Sequence, residues 1–299
     1  MRCFRSMVTY ANQYHVDNVP NGMILFRGGR NYDTEKSTFF RDNSKENRKK
    51  CLRRLLEMMD FIHRYKVLYL KGADPNSVVA TVQAMALLQH YGDLVGNLTT
   101  PMLDVVKDVE VAASFAFQGG DLKEGLHRVV RALLVPKPGP VDLLETSKTL
   151  WTEKNTRDAS FMIQRLGNTE MLLVELQSLM PQTALRPWNQ KGHVLVHEQD
   201  VKYFHELRKQ HAEGKTLDEL MTLKEADGLI GSDGWDALDY RVVDLRIPND
   251  NVTFEEFFEA HPGEEGNTYP ACPGLRKEQL YPVGDPMAAI ITEMARGLM

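Results

Sequence analysis

The chain of 299 residues contains little cysteine and no long apolar run. Its three cysteines, Cys3, Cys51 and Cys272, lie far apart and form no CxxC pair. A disulfide framework is therefore not expected, and a reducing compartment is favoured. No stretch matches the roughly 20 mainly apolar residues that a membrane-spanning helix needs. We therefore expect an intracellular protein without a transmembrane segment.

The common catalytic signatures are also missing. There is no G-x-S-x-G elbow and no G-x-G-x-x-G following a predicted strand. Gly214-Lys215-Thr216 ends like a P-loop, but Lys209 stands where the first glycine of that motif is required. These absences favour a non-catalytic protein without a cofactor. They do not exclude an enzyme, because catalytic residues converge in space rather than in sequence.

Four histidines, His193, His197, His205 and His211, fall within nineteen residues. His193 and His197 share a face in either a helix or a strand, so they are the weak candidates for a pair of metal ligands. The pattern is not HExxH and has no cysteine partner at zinc-finger spacing. Histidines on the surface or at helix caps are therefore the preferred interpretation, and no metal site is predicted.

The most informative stretch that is present is 74–98. Asp74 is a good helix N-cap, Pro75 suits the first helical position, and Gly92 is a candidate C-cap. No Asp, Glu, Lys or Arg lies between Pro75 and Gly92, and the apolar residues are not confined to one face. A helix that is apolar nearly all round belongs in a core. The sequence therefore predicts a central buried helix here.

Helical spacing of apolar residues continues through most of the middle of the chain. It predicts helices over 41–65, after Thr100-Pro101, after Asp121, and over 141–151, 158–166, 169–180 and 217–226. A strand-like piece followed by an amphipathic helix is predicted over 193–213. The predicted fold is mainly α: an irregular helical bundle or solenoid of helix pairs, with a minor β element near 23–32 and 240–247.

Turn signals and composition suggest three regions. Asn21-Gly22 and Arg27-Gly28-Gly29-Arg30 bracket an apolar run, which predicts a β-hairpin in an N-terminal extension over 1–44. A helical domain follows over 45–226, with a possible internal boundary at VPKPGP, 135–140. Residues 227–299 form a loop-rich tail rich in acidic residues, proline and glycine, which we expect either to be disordered or to be ordered by lying on its own domain or on a neighbour.

Charge is distributed unevenly along the chain. Residues 1–74 hold fifteen Lys and Arg against eight Asp and Glu, whereas 227–265 hold eleven acids and two arginines. Such asymmetry predicts surfaces with different partners, or surfaces that meet each other. The candidates for contact with a partner protein or with RNA are Arg27, Arg30, Lys49, Lys50, Arg53 and Arg54.

These observations favour a non-catalytic structural or accessory subunit of a large intracellular assembly, acting through contacts with other protein subunits. The acid-free first sixteen residues resemble a mitochondrial presequence in composition, which suggests the mitochondrion, with the cytoplasm as the alternative. Two alternatives stay open. The first is a helical RNA-binding protein that uses the basic residues, and the second is a metal-dependent enzyme centred on His193 and His197.

Overall fold

The computed structural model describes a protein built on one large antiparallel sheet. The described residues are 13, 22–30, 37, 39, 45–64, 77–96, 98–117, 127–140, 162–222, 241–246 and 277–297. Eight strands form the sheet in the order β4-β5-β6-β7-β2-β1-β3-β8, with every neighbouring pair antiparallel. The strands are β1 (Gly22–Arg30), β2 (Leu103–Val106), β3 (Arg128–Pro136), β4 (Pro138–Pro140), β5 (Ile163–Leu166), β6 (Met171–Glu175), β7 (Gly192–His197) and β8 (Arg241–Arg246).

In the described residues, the helices either pack against one face of this sheet or come directly after one of its strands in the chain. They are α1 (Lys45–Arg64), α2 (Val78–Tyr91), α3 (Val109–Phe117), α4 (Leu176–Leu179), α5 (Leu185–Asn189), α6 (Glu198–Ala212), α7 (Leu217–Thr222), α8 (Lys277–Leu280) and α9 (Pro286–Gly297). A short 3₁₀ turn, Gly92–Val95, extends α2. No helix in the described part of the chain is both long and apolar enough to cross a membrane.

The predicted central helix is confirmed. Twelve of the fourteen residues of α2 are buried, and α2 packs between α1 and α6. The Ser77 hydroxyl caps its N-terminus by accepting from the Ala80 amide at 3.2 Å. Gly92 continues into the 3₁₀ turn, and the left-handed glycine that ends it is Gly96, at φ 83°. The predicted caps Asp74 and Pro75 lie outside the described residues.

Alternating side chains of the central strands enter different apolar clusters. On β1 and β3, Phe26 and Val130 join the cluster under α3, whereas Leu25 and Leu133 belong to a cluster on the opposite face. The same alternation holds on β7, where Val196 meets the helices around α2. Both faces of the sheet are therefore apolar, and the strands carry hydrophobic residues at consecutive positions.

That two-sided burial explains why the prediction of a mainly α, helical protein was wrong. The segments predicted as helices after Thr100, after Asp121 and over 169–180 contain β2, β3 and β6, and 158–166 contains β5. A strand buried on both faces gives a continuous apolar run, and periodicity alone cannot distinguish it from a buried helix. The structure is instead dominated by an antiparallel sheet curled into a half-barrel.

The predicted hairpin turn at 27–30 was also wrong, for a steric reason. Gly28 and Gly29 lie inside β1, in unbroken register with β3. A Cβ atom on Gly28 would lie 1.6 Å from the Ala112 carbonyl oxygen and 2.7 Å from the Ala116 backbone nitrogen. Gly28 therefore lets the backbone of α3 approach the strand directly, which is a role of strand glycines distinct from turn formation.

Several local predictions are confirmed. Helix α1, the succession of β7 and α6, and strand β8 lie where they were expected. Thr216 and Glu219 form the predicted capping box, with the Thr216 amide donating to the Glu219 carboxylate at 2.7 Å and the Glu219 amide donating to the Thr216 hydroxyl at 3.2 Å.

VPKPGP at 135–140, predicted as a possible boundary, forms the end of β3 and all of β4 within the same sheet. The helix predicted at 141–151 and most of 227–276 lie outside the described residues.

The contact at Gly28 gives a stability prediction. Gly28→Ala should lower the free energy of unfolding by at least about 3 kcal/mol, because the new methyl group overlaps backbone rather than a movable side chain. Gly139→Ala is the matched control in strand β4, since no atom of the described residues lies within 4 Å of its added Cβ; it should stay within about 0.5 kcal/mol of wild type. Urea unfolding measures both variants, and equal stability of the two would contradict the packing argument.

Candidate functional site

A partly open pocket of about 210 Å³ lies where the middle of the sheet meets the C-terminal end of α2. Strands β1 and β2, helices α2 and α3, the residue after α5 and the residue after α8 all contribute to its wall. Its volume suits one ring-sized group or a few waters. The lining residues are Arg27, Gly28, Gln89, His90, Asp104, Phe115, Gln190 and Tyr281.

The register of the two central strands places the Asp104 carboxylate at the pocket. Phe26 of β1 pairs with Val106 of β2, so Gly28 lies opposite Asp104. The Asp104 side chain lies on the same face as Val106, toward the last turn of α2. Arg27 is on the other face of the sheet, that of Leu25, and its guanidinium donates to the Asp104 carbonyl oxygen at 3.0 Å. The sheet therefore presents the Asp104 carboxylate, rather than the Arg27 side chain, to His90.

The orientation of His90 is determined by its neighbour Gln190. The Gln190 amide nitrogen donates to the Leu280 carbonyl at 3.2 Å, so its oxygen faces the His90 Nδ1 at 3.1 Å. An amide oxygen only accepts, and Nδ1 must therefore carry the proton of the neutral ring. The lone pair of the neutral ring is then on Nε2. Burial lowers the pKa of His90, with Asp104 opposing this effect, which favours the neutral form.

Two buried acceptor atoms face each other across this corner of the pocket. His90 Nε2 lies 3.6 Å from Asp104 Oδ1, and neither atom has a hydrogen-bond partner among the described residues. The other carboxylate oxygen, Oδ2, accepts from the Gln89 amide at 2.8 Å, and Gln89 accepts in turn from the Thr100 hydroxyl. Unsatisfied buried acceptors cost about 1–3 kcal/mol each. The pair is therefore a place where a proton or a donor group would be stabilised.

Two aromatic rings complete the wall. Phe115 of α3 and Tyr281 pack against the apolar cluster around Phe26. Burial raises the pKa of the Tyr281 hydroxyl to about 12, and the nearby Asp104 carboxylate adds to the effect. The Tyr281 hydroxyl therefore keeps its proton at neutral pH and is available as a hydrogen-bond donor. The pocket thus combines a buried imidazole nitrogen with a protonated hydroxyl.

Comparison with known proteins matches one part of the chain. Residues 22–124 match the family model described as the FRG domain, and 26–28 within that range read Phe-Arg-Gly. No curated protein and no solved structure matches the chain. Six of the eight lining residues fall within the matched range, and Gln190 and Tyr281 lie beyond it. The site is thus mainly a feature of the FRG-matching region, completed by later parts of the chain.

The basic residues predicted from the sequence are not brought together. Arg27 lies at the pocket, whereas the lysines and arginines of α1 lie on a helix that packs against α2, α6 and α7. Three of these cations also pair with acids: Lys50 with Glu46, Arg53 with Asp218, and Arg54 with Glu57. Lys49 is half-buried, and Arg30 ends β1. The charge of this face is therefore partly neutralised.

The two histidines considered as metal ligands lie at opposite ends of β7. Four residues of strand span about 13 Å, which is unfavourable for two ligands of one ion. His193 donates from Nδ1 to the Lys191 carbonyl at 3.2 Å, and His197 caps α6 by accepting from the Gln199 amide at 3.2 Å. The described residues contain no group of three or more His, Cys, Asp or Glu able to hold a metal ion.

Most of the pocket residues carried no sequence signal. Gln89 and His90 read as interruptions of an apolar helix, and Asp104 read as the polar face of another helix. Gln190 and Tyr281 are isolated polar residues in irregular segments. Only Arg27 was singled out, together with its glycines. Reading β2 as a strand would have placed Asp104 on a face of the sheet, but the approach of Gln190 and Tyr281 depends on the tertiary fold.

The buried His193 generates a prediction about pH. Burial lowers its pKa to about 4 from 6.5, so the unfolded chain binds more protons between these values and stability falls as pH falls through this window. Between about pH 7 and about pH 5, this group should contribute a loss of about 2 kcal/mol in the free energy of unfolding. Other histidines add to the total loss in the wild type.

The variant His193→Gln isolates this contribution. Its loss between the same two pH values should be smaller than that of wild type by about 2 kcal/mol, as measured by urea unfolding. His211→Gln, at the half-exposed end of α6, is the matched control and should behave like wild type. If all three proteins lose stability equally, His193 is not the buried neutral group that the structure shows.

Proposed function

We propose that the chain is an enzyme that performs acid–base chemistry on a small polar substrate bound in this pocket. The observation that supports it is the pair of buried acceptors, His90 Nε2 and Asp104 Oδ1, 3.6 Å apart at the pocket wall without partners among the described residues. Unsatisfied polar groups are rare in protein interiors and call for an explanation, and catalysis is a common one. The match to the FRG domain adds no chemistry by itself, although the matched range includes both His90 and Asp104.

His90 has the features of a general base. Its Nε2 carries the lone pair and lies at the pocket, so it can accept a proton from a hydroxyl, an amine or a water held there. The adjacent Asp104 carboxylate would stabilise the imidazolium that forms, and Gln190 would hold the ring in the required tautomer throughout. The low pKa of the free His90 keeps the base unprotonated at neutral pH.

Tyr281 is the matching proton or hydrogen-bond donor. Its pKa is raised whereas that of His90 is lowered, so one group stays protonated and the other stays neutral over the same pH range. Pairs of titratable groups whose environments separate their pKa values in this way are typical of acid–base sites.

Substitutions at the pocket test this proposal. Incubating a small-molecule extract with the wild-type protein should deplete at least one compound, as followed by mass spectrometry. His90→Gln should slow that depletion by about 10²–10⁴-fold, because the base is lost while the packing volume is nearly kept. Tyr281→Phe should also slow it while leaving the ring in place.

The control is His211→Gln, which lies on α6 away from the pocket and should deplete the same compound at the wild-type rate. Equal rates for His90→Gln and wild type would contradict the assignment of the base. An extract left unchanged by the wild-type protein would contradict the assignment of an enzyme.

The interpretations drawn from charge and composition stay predictions alongside this proposal. They are a non-catalytic subunit of a larger assembly, binding to RNA through the basic residues, and residence in the mitochondrion. The native size of the protein in a gentle lysate, with and without ribonuclease, tests the first two. A large species that survives ribonuclease would favour the assembly, and one that is lost would favour RNA binding.

A further inference from the structure

Arg186 of α5 lies behind the pocket and contacts the element that carries His90. Its guanidinium Nη1 donates to the His90 carbonyl oxygen at 3.0 Å and to the Asp93 carboxylate at 2.8 Å. Its side chain is largely buried, with 11% of its area exposed. The last turn of α2, which contains His90, is therefore hydrogen-bonded to a buried cation.

The same guanidinium also contacts the segment that carries the tyrosine. Its Cζ atom lies 5.2 Å from the centroid of the Tyr281 ring and 4.9 Å from that of Tyr91. Cations at this distance are attracted to the face of an aromatic ring, the more so when desolvated. Arg186 thus bridges the helix that carries His90 and the residue that forms the opposite member of the proposed acid–base pair.

The backbone amide of Arg186 is itself hydrogen-bonded to a buried carboxylate. Its amide donates to Asp285 Oδ2 at 3.2 Å, and the Tyr91 hydroxyl donates to the same oxygen at 2.7 Å. The other oxygen of Asp285 caps α9 by accepting from the Met287 amide at 3.0 Å. The buried carboxylate therefore ties α5, α2 and the C-terminal helix together at one point.

We propose that Arg186 is a positioning residue whose charge, fixed against the His90 carbonyl and the Tyr281 ring, acts on both of these groups at the pocket. It does not line the pocket, so it would act through these two residues rather than on a substrate. Arginine suits this role because its planar group donates several hydrogen bonds and stacks on aromatic rings at once, which lysine cannot do. The inference rests on the proposed acid–base function, but its test does not require a substrate.

The cation also acts on the titration of both groups. Asp104 and Arg186 are the charges that act on His90, and Asp104, Arg186 and Asp93 are those that act on Tyr281. Arg186 lowers the pKa of each, because a nearby cation disfavours the imidazolium and favours the phenolate. Removing this charge while the fold is kept should therefore raise both pKa values.

If Arg186→Gln instead loosened the packing of the site, the pKa values of His90 and Tyr281 would shift in opposite directions. The pKa of His90 would rise toward its ordinary value of 6.5, but that of Tyr281 would fall from about 12 toward 10. The direction of the Tyr281 shift therefore separates loss of the charge from loss of the structure. A residue with a purely structural role would lower the pKa of Tyr281, not raise it.

The experiment is a titration of Arg186→Gln and of wild type by NMR, using the His90 ring nitrogens and the Tyr281 ring carbon that bears the hydroxyl. In the variant, the pKa of His90 should rise, because the cation that disfavours the imidazolium is gone. At about pH 10.5, Tyr281 should remain protonated in both proteins. Arg186→Lys should restore the wild-type pKa of His90 in large part, because it keeps the charge.

Arg296→Gln, which removes an exposed arginine of α9 paired with Glu293, is the control and should leave both titrations unchanged. Ionisation of Tyr281 at about pH 10.5 in both Arg186 variants, or an unchanged pKa of His90 in Arg186→Gln, would overturn the proposal. Failure of the proposed function is a separate result. If His90→Gln does not slow turnover, the base assignment falls even when the titrations show that the charge of Arg186 acts on the two groups.

Discussion

Helix α2 has almost no side that faces solvent, and this constraint governs its surroundings. Each neighbour must cover it with apolar side chains, which α1, α6 and the strands β5, β6 and β7 supply. Its polar side chains must also find partners inside the protein. Gln83 donates to the Leu179 carbonyl at 2.7 Å, and Thr81 lies 3.0 Å from the His205 ring. A buried helix of this kind thereby determines which polar groups its neighbours present.

At the last turn of α2 the same requirement produces the pocket. Gln89 and His90 point toward β2 and the segment after α5, where Asp104 and Gln190 supply their partners. Every polar atom of this group is matched except one pair, His90 Nε2 and Asp104 Oδ1. A protein selected only for stability would place a donor there or an apolar residue. The proposed acid–base chemistry would use these two facing acceptors.

The sequence predicted those parts of the structure that depend on local signals. The burial of α2 follows from the absence of charge, and the Thr216–Glu219 capping box follows from a motif four residues long. The sheet was missed because strands buried on both faces carry the same apolar runs as buried helices. The pocket was missed because His90, Asp104 and Tyr281 belong to segments separated by the rest of the chain. Arg27 was singled out, but its glycine serves the packing of α3 rather than a turn.

The extent of the family match bears on how the site is assembled. The range 22–124 supplies His90 and Asp104, but it supplies neither Gln190, which determines the tautomer of His90, nor Tyr281. Both of those residues are held by segments that converge on Arg186 and Asp285. The FRG-matching region alone would therefore carry His90 without the side chain that orients its ring. The arrangement of these four side chains belongs to the longer chain, so the proposed function requires segments beyond the matched range.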